Sequence, residues 1–228
     1  MFAQSTTALV LERSAAKAQS AAESRRPPVE GYTFLSRSEV RFLDAAVSRI
    51  IPADELGPGA KEAGVVVFLD RELGGDYGAN VRTYTDGPYG PYTPYQGYQL
   101  PITVADVYRI SIDAVDRYGS EALGKRFADL AFQAQDDILA GVNDLARRTA
   151  NGDAPADLFF QLLLRDTKDG YFSDPIYGGN RDMIGWKLIG YPGAGRGYLQ
   201  DIFKINTPYT VAPVGMAEHQ HSMGMGDD

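Results

Sequence analysis

The chain has 228 residues, of which 44% are hydrophobic, and it carries a formal net charge of −8 at pH 7. This length suits one ordinary soluble domain, and an acidic chain without a basic stripe is a poor match for DNA or RNA. The absence of cysteine excludes disulfides, cysteine-ligated iron–sulfur clusters, c-type haem attachment and a thiol nucleophile. No apolar run approaches the roughly 20 residues of a transmembrane helix.

The first segment is predicted to be an extended or weakly helical arm, because residues 3–30 are rich in Ala, Ser, Gln and charge. We place the domain boundary after residue 33. The apolar run Ala8–Leu11 is too short for the core of a signal peptide. We therefore expect that, if the protein is exported, its signal has been removed or a partner carries it.

Five helices follow from the 3.6-residue spacing of apolar residues. Ser36 and Glu39 have the spacing of a capping box at the start of the first helix. The predicted helices cover residues 36–51, 60–73, 103–118, 120–148 and 153–170, with a short element at 198–205. Alternating strand patterns are almost absent, so we expect a mainly α fold: about five helices with two long ordered loops rich in aromatic residues, Gly and Pro. A single domain at 34–205 would precede a tail at 206–228.

The first long loop places five tyrosines among prolines and glycines. They are Tyr84, Tyr89, Tyr92, Tyr95 and Tyr98. Proline restricts the backbone, and tyrosine offers a large face with a hydroxyl group, a combination that suits protein–protein contacts or stacking on a sugar. Alternatively, the loop folds over its own domain with its tyrosines half-buried.

The second long loop, residues 171–193, supplies the other candidates for a partner interface. They are Phe172, Asp174, Tyr177, Asn180, Arg181, Asp182, Trp186 and Tyr191. The charged members, with Lys187, could form either an acid–base pair for glycoside hydrolysis or an internal network of turns and salt bridges. Trp186, the only tryptophan, is interpreted as a buried clamp or an interface anchor.

No residue is assigned to catalysis, to a cofactor or to a metal. The glycines of Gly193–Gly197 have neither the spacing nor the preceding strand of a dinucleotide-binding turn. His219 and His221 could bind copper or zinc weakly, but their position favours a disordered tail.

The run Gly170–Gly193 resembles the signature of the gluconate 2-dehydrogenase subunit 3 family. The similarity continues through Phe159-Phe160, Gln135-Asp136, the tyrosine loop and the Phe42–Pro52 helix, over about residues 34–205. Members are small subunits of membrane-associated, FAD-dependent gluconate, fructose, glucose and related dehydrogenases.

The resemblance implies a cofactor-free, non-catalytic subunit that supports a large FAD-binding subunit, with a multi-haem cytochrome c subunit in the same complex. The complex would be periplasmic and peripheral to the inner membrane, and gluconate is its preferred substrate. Family precursors often carry a twin-arginine export signal, whereas Arg25-Arg26 leads here into Pro27-Pro28. Two alternatives remain: a small carbohydrate hydrolase that uses the region of Asp174 and Asp182, and a sugar-binding module built on the tyrosine loop.

Overall fold

Six α-helices make up the regular structure of the described residues. The structure is a computed structural model that describes residues 31–81, 101–148, 155–193, 203–208 and 210–217, with the backbone alone at 143–148 and 155–157. The helices are α1 (Arg37–Ile50), α2 (Val65–Gly74), α3 (Val104–Leu123), α4 (Phe132–Arg148), α5 (Pro155–Phe172) and α6 (Ile184–Ile189). Strand pairing within these ranges is limited to two isolated bridges. The prediction of a mainly α fold is confirmed.

The capping box predicted at the start of α1 is present. The backbone N–H of Ser36 donates to Oε2 of Glu39 at 2.7 Å, and the backbone N–H of Glu39 donates to Oγ of Ser36 at 3.4 Å. These two bonds satisfy amide groups that have no partner within the helix. A second capping box at Thr103 and Asp106 begins α3.

The predicted break between the third and fourth helices was wrong: residues 120–123 belong to α3, and α4 begins only at Phe132, after a 3₁₀ turn at Phe127–Asp129. We expected α3 to end at Tyr118, before Gly119, but it continues to Leu123 and ends at Gly124, whose φ of 73° cannot continue a right-handed helix. Gly119 is buried inside the helix, and the position requires glycine because a Cβ there would lie 2.7 Å from the carbonyl oxygen of Lys125. It is a glycine of close approach and not a helix stop.

Two other helix boundaries also differ from the prediction. Helix α2 begins at Val65 rather than at residue 60, because Gly64 has a φ of 74°. Helix α5 passes through Gly170 and ends at Phe172. A Cβ at Gly170 would lie 2.8 Å from the ring of Phe68, so this glycine too allows a close contact within a helix.

The loop 171–193 is more regular than its composition predicts. It contains the last turn of α5, two short 3₁₀ turns at Pro175–Tyr177 and Arg181–Met183, and helix α6. The other loop, with all five of its tyrosines, lies outside the described residues. So do residues 198–202 of the last predicted element, while residues 203–208 form turns without a helix.

The described residues group into two compact units, each made of two stretches of chain. The first unit takes in the residues up to Ala46 and those at Asp70–Leu163, and the second those at Val47–Leu69 and from Leu164 onward. The boundaries fall inside α1, α2 and α5. The division of the chain at residues 33 and 205 stays a prediction.

The core of the first unit is a cluster of aromatic rings. The ring centroid of Phe42 lies 4.6 Å from that of Phe127 and 6.2 Å from that of Phe159, and Phe159 meets the edge of Tyr108 at 5.4 Å. All four side chains are essentially inaccessible to solvent. The edge-to-face contact between Phe159 and Tyr108 is of a kind that adds about 0.5–1.5 kcal/mol beyond area burial.

A buried carboxylate fixes the chain that precedes α1. Asp70, on α2, accepts hydrogen bonds from the backbone N–H groups of Thr33, Phe34 and Leu35 and from the hydroxyl group of Thr33, at 2.7–2.9 Å. Burial alone raises the pKa of Asp70, but these hydrogen bonds outweigh it and hold the pKa below its ordinary value of 3.8. The charged form of Asp70 is therefore a structural element of the first unit.

No helix within the described ranges combines the length and the hydrophobicity needed to cross a bilayer.

Candidate functional site

Tyr171, the penultimate residue of α5, connects the two stretches of chain that make up the second unit. Its side chain is buried, its ring meets Phe172 edge-on at 5.0 Å, and its hydroxyl group donates to the carbonyl oxygen of Pro58 at 2.7 Å. Burial raises the pKa of Tyr171, and the negative charges of Asp54 and Glu62 raise it further. The hydroxyl group therefore stays protonated as a hydrogen-bond donor throughout the physiological pH range.

Asn180 joins two distant parts of the 171–193 loop. Its side chain is fully buried; Nδ2 donates to the carbonyl oxygen of Ser173 at 2.8 Å, and Oδ1 accepts from the N–H of Gly185 at 2.8 Å. The next backbone N–H, that of Arg181, donates to the carbonyl oxygen of Ala63 at 2.9 Å. This short stretch is thus fixed to the turn before α2.

The same stretch adopts an uncommon backbone conformation. Asn180, Asp182 and Met183 have φ angles of 46°, 55° and 57°. A left-handed conformation costs a residue other than glycine about 1–2 kcal/mol, less for Asn or Asp. Such conformations persist only where the surrounding contacts enforce them, and they are concentrated at functional segments.

Trp186 fixes α6 against the end of α5. Its side chain is only 5% exposed, Nε1 donates to the carbonyl oxygen of Phe172 at 2.7 Å, and its ring meets Tyr191 edge-on at 5.1 Å. The preceding residue, Gly185, lets the backbone of α6 come close to the end of α5, since a Cβ there would lie 2.1 Å from the carbonyl oxygen of Tyr171. A buried Trp186 that holds α6 to the end of α5 agrees with the interpretation of this residue as a clamp.

Asp174 connects the loop to a segment near the C-terminus. Oδ1 accepts from the backbone N–H of Ile176 at 3.0 Å, and Oδ2 accepts from that of Met216 at 2.8 Å. The N–H of Val214 donates to the carbonyl oxygen of Pro192 at 3.2 Å. Residues 213–217, which the sequence placed in a tail, therefore lie against the loop and connect its two ends.

Seven large apolar side chains on the loop and on residues 213–217 remain exposed to solvent, and we call them together the apolar surface. These side chains come from three segments, residues 172–177, 188–193 and 213–217. The segments are joined by the hydrogen bonds described above, in which Val214 donates to Pro192 and Met216 donates to Asp174. The seven side chains are between 37% and 58% exposed: Phe172, Ile176, Tyr177, Leu188, Ile189, Tyr191 and Met216. Where exposed apolar side chains form a large contiguous patch, the patch marks a site of contact with a protein, a membrane or a ligand.

The candidates from the sequence fall into three groups. Tyr84, Tyr89, Tyr92, Tyr95 and Tyr98 lie outside the described residues. The exposed candidates are Phe172, Tyr177, Arg181, Asp182 and Tyr191, with Asp174 half-buried. Asn180 and Trp186 are buried, and we infer that they contribute to any interface by holding their exposed neighbours. The partner role of all these residues stays a prediction.

Sequence reasoning missed Ile176, Leu188, Ile189 and Met216. The sequence did contain a signal for Leu188 and Ile189, namely the composition of the helix in which they lie. Helix α6 is six residues long and reads Ile-Gly-Trp-Lys-Leu-Ile, so apolar side chains surround its axis and one face cannot bury them all. Met216 carried no local signal, because its position depends on a hydrogen bond to a residue 42 positions away.

A protein family model matches most of this chain. The family model described as gluconate 2-dehydrogenase subunit 3 matches residues 37–193, more than half of the 228 residues, and includes most of the apolar surface. Neither the curated proteins nor the solved structures contain a significant match. The chain therefore belongs to the gluconate 2-dehydrogenase subunit 3 family, the small subunits of a gluconate 2-dehydrogenase-type complex.

Proposed function

We propose that this chain is the non-catalytic small subunit of a periplasmic, FAD-dependent sugar-acid or sugar dehydrogenase whose preferred substrate is gluconate. It binds and stabilises the large flavoprotein subunit through the apolar surface. FAD belongs to that large subunit and haem c to a multi-haem cytochrome c subunit, and the complex lies at the periplasmic face of the inner membrane. The chain itself contributes no reacting group.

The observation that carries this proposal is the exposure of the apolar surface. Leu188, Ile189 and Tyr191 follow one another closely and are 45%, 58% and 43% exposed. Removing apolar area from water contributes about 25 cal/mol per Å², and stable interfaces are richest in aromatic and large aliphatic side chains at their centre. A large partner subunit would provide that burial.

The polar groups around this surface support a structural role. Both carboxylate oxygens of Asp174 accept backbone N–H groups, and both polar atoms of the Asn180 side chain are engaged with backbone. A general acid or base must instead reach the proton it transfers in a substrate complex. These groups hold turns in place, which agrees with a surface made for binding.

The test is to co-express the chain with the large flavoprotein subunit and measure the flavin that co-purifies with it. Ile189→Glu places a charge at the most exposed member of the apolar surface, and we expect at least a tenfold loss of bound flavoprotein. Leu56→Glu, at a residue of the same unit that is 73% exposed, is the matched control and should bind as the wild type does. Circular dichroism of both variants checks that they fold.

Equal loss with both variants, or with neither, would count against binding through this surface. The wild-type chain purified alone should be colourless and should not oxidise gluconate with an artificial electron acceptor. Stoichiometric flavin in that preparation would overturn the non-catalytic assignment. The amount of large subunit that reaches the periplasm with and without this chain measures any contribution to export.

A further inference from the structure

Arg181 is an exposed arginine whose backbone and guanidinium group are both held by the turn before α2. Its backbone N–H donates to the carbonyl oxygen of Ala63 at 2.9 Å. Its guanidinium group lies beside Gly64, where a Cβ would be only 3.2 Å from Nη2 and 3.6 Å from Cζ of Arg181. The side chain nevertheless remains exposed to solvent. Neighbouring backbone therefore supports the charged end of Arg181 without covering it.

Arg181 forms no ion pair within the described part of the chain, whereas Arg41, Arg109 and Arg165 each pair with a carboxylate group. Its neighbour Asp182 is also exposed but is not such a partner. A charged side chain that is already positioned loses less conformational entropy when a partner binds it. Arg181 is thus a preorganised cation whose counter-ion is not found among the described residues.

The position of Arg181 places this charge beside the apolar surface. The 3₁₀ turn Arg181–Met183 packs against both the Pro175–Tyr177 turn and α6. These two elements carry four members of the apolar surface: Ile176, Tyr177, Leu188 and Ile189. Protein interfaces combine an apolar centre with a polar rim, and arginine is enriched in them. Complementary charges at such a rim determine which partner binds and in which orientation.

We propose that Arg181 pairs with an Asp or Glu side chain of the large flavoprotein subunit at the edge of the apolar surface. A guanidinium group can donate two parallel N–H bonds to a carboxylate group, which is the anion that a folded subunit presents. Asp182, next in the chain, would repel a phosphate group of higher charge more strongly than a single carboxylate group. Such a pair rests on the proposed function, and it specifies the charge that the partner presents at this point.

The first test converts this pair into a covalent bond in the complex co-expressed with the large subunit. Arg181→Lys places a primary amine at this position, and a carbodiimide joins an amine to a carboxylate group with which it is in contact. Mass spectrometry should find an amide bond between residue 181 of the variant and an Asp or Glu residue of the large subunit. This bond should be at least tenfold more abundant than any formed by Lys168, an exposed lysine of α5 in the same unit.

The second test compares two charge reversals, with circular dichroism to check that both variants fold. Arg181→Glu should reduce the large subunit that co-purifies at least tenfold, whereas Lys168→Glu, the same change of charge, should bind as the wild type does. Equal effects of the two variants would overturn the pairing, because binding would then follow net charge alone. A complex that forms normally but gives no amide bond at residue 181 of Arg181→Lys would also overturn it. Neither result would touch the proposed function, which fails instead if Ile189→Glu binds normally.

Discussion

The aromatic cluster of the first unit and the aromatic residues around Trp186 in the second unit are packed in opposite ways. In the first, Phe42, Tyr108, Phe127 and Phe159 contact one another and none reaches solvent. In the second, the buried Trp186 is bound to a backbone carbonyl group, while the neighbouring rings remain partly exposed. A high aromatic content therefore does not reveal by itself whether a segment builds a core or a surface.

The distribution of exposed apolar side chains sharpens this difference. Of the sixteen large hydrophobic residues that are exposed in the described ranges, eleven lie from Leu164 onward. Of the five non-glycine residues with left-handed backbone in the described ranges, the second unit contains four, Asn180, Asp182, Met183 and Asn206, and the first unit contains only Asn80. The second unit combines a strained and tightly bonded framework with an apolar exterior, as a preformed binding surface would.

The largest expected effect is that of Trp186→Ala. Removal of this buried ring and its hydrogen bond should lower the free energy of unfolding by about 3–5 kcal/mol, measured by denaturant titration. Phe127→Ala should cost a similar amount in the first unit. If the units differ as we describe, only Trp186→Ala should also weaken binding of the large subunit under conditions where both variants remain folded. Equal effects on binding would contradict the comparison.

A smaller effect is expected for Asn180→Ala, which leaves Ser173 and Gly185 without their hydrogen-bond partners and places alanine at a φ of 46°. We expect a loss of about 2–4 kcal/mol of unfolding free energy. Asn180→Gly removes the same bonds but tolerates the backbone, so it should lose about 1 kcal/mol less. Identical values for the two variants would show that this backbone conformation carries no strain.

In the first unit, Asp70→Asn tests the buried carboxylate. Because the folded-state pKa of Asp70 lies below its ordinary value of 3.8, its stabilisation is complete above that value and is lost as the pH falls through the folded-state pKa. At pH 7 the substitution should cost about 1–3 kcal/mol of unfolding free energy. The difference between wild type and variant should shrink on acidification below pH 4. A difference that is constant from pH 7 to pH 2 would contradict this role.

The smallest effect separates two truncations of the C-terminus. Deletion of residues 218–228 should leave stability unchanged, whereas deletion of residues 213–228 removes the bonds of Val214 and Met216 to the loop. The longer deletion should cost about 1–2 kcal/mol, and it should weaken binding of the large subunit. Equal thermal stability and equal binding of the two truncated chains would show that this segment has no structural role.

Much of the fold could be predicted from the sequence because its determinants are local. The spacing of apolar residues and the capping pair at Ser36 and Glu39 were sufficient for α1. Glycine was ambiguous: Gly124 ends a helix, whereas Gly119 and Gly170 lie inside helices where a Cβ would clash. The local sequence does not distinguish these roles, since the clash comes from residues brought close by folding.

The candidate site was predicted less completely. Phe172, Tyr177 and Tyr191 were selected and are exposed, but the sequence also selected Asn180 and Trp186, which are buried. Asn180 and Trp186 are instead bonded to backbone groups of Ser173, Gly185 and Phe172, 5 to 14 residues away, and no periodic pattern in the sequence indicates these contacts. Composition therefore identified the segment that carries most of the apolar surface, but not which of its residues face outward.

The most direct test is hydrogen exchange of the chain with and without the large flavoprotein subunit. Our account predicts that amide groups at 172–177, 188–193 and 213–217 gain protection in the complex, because these segments form the apolar surface. Amide groups of α1, capped at Ser36 and distant in sequence from that surface, should exchange at the same rate in both samples. Unchanged exchange in all three surface segments, together with protection of the first unit alone, would contradict the account.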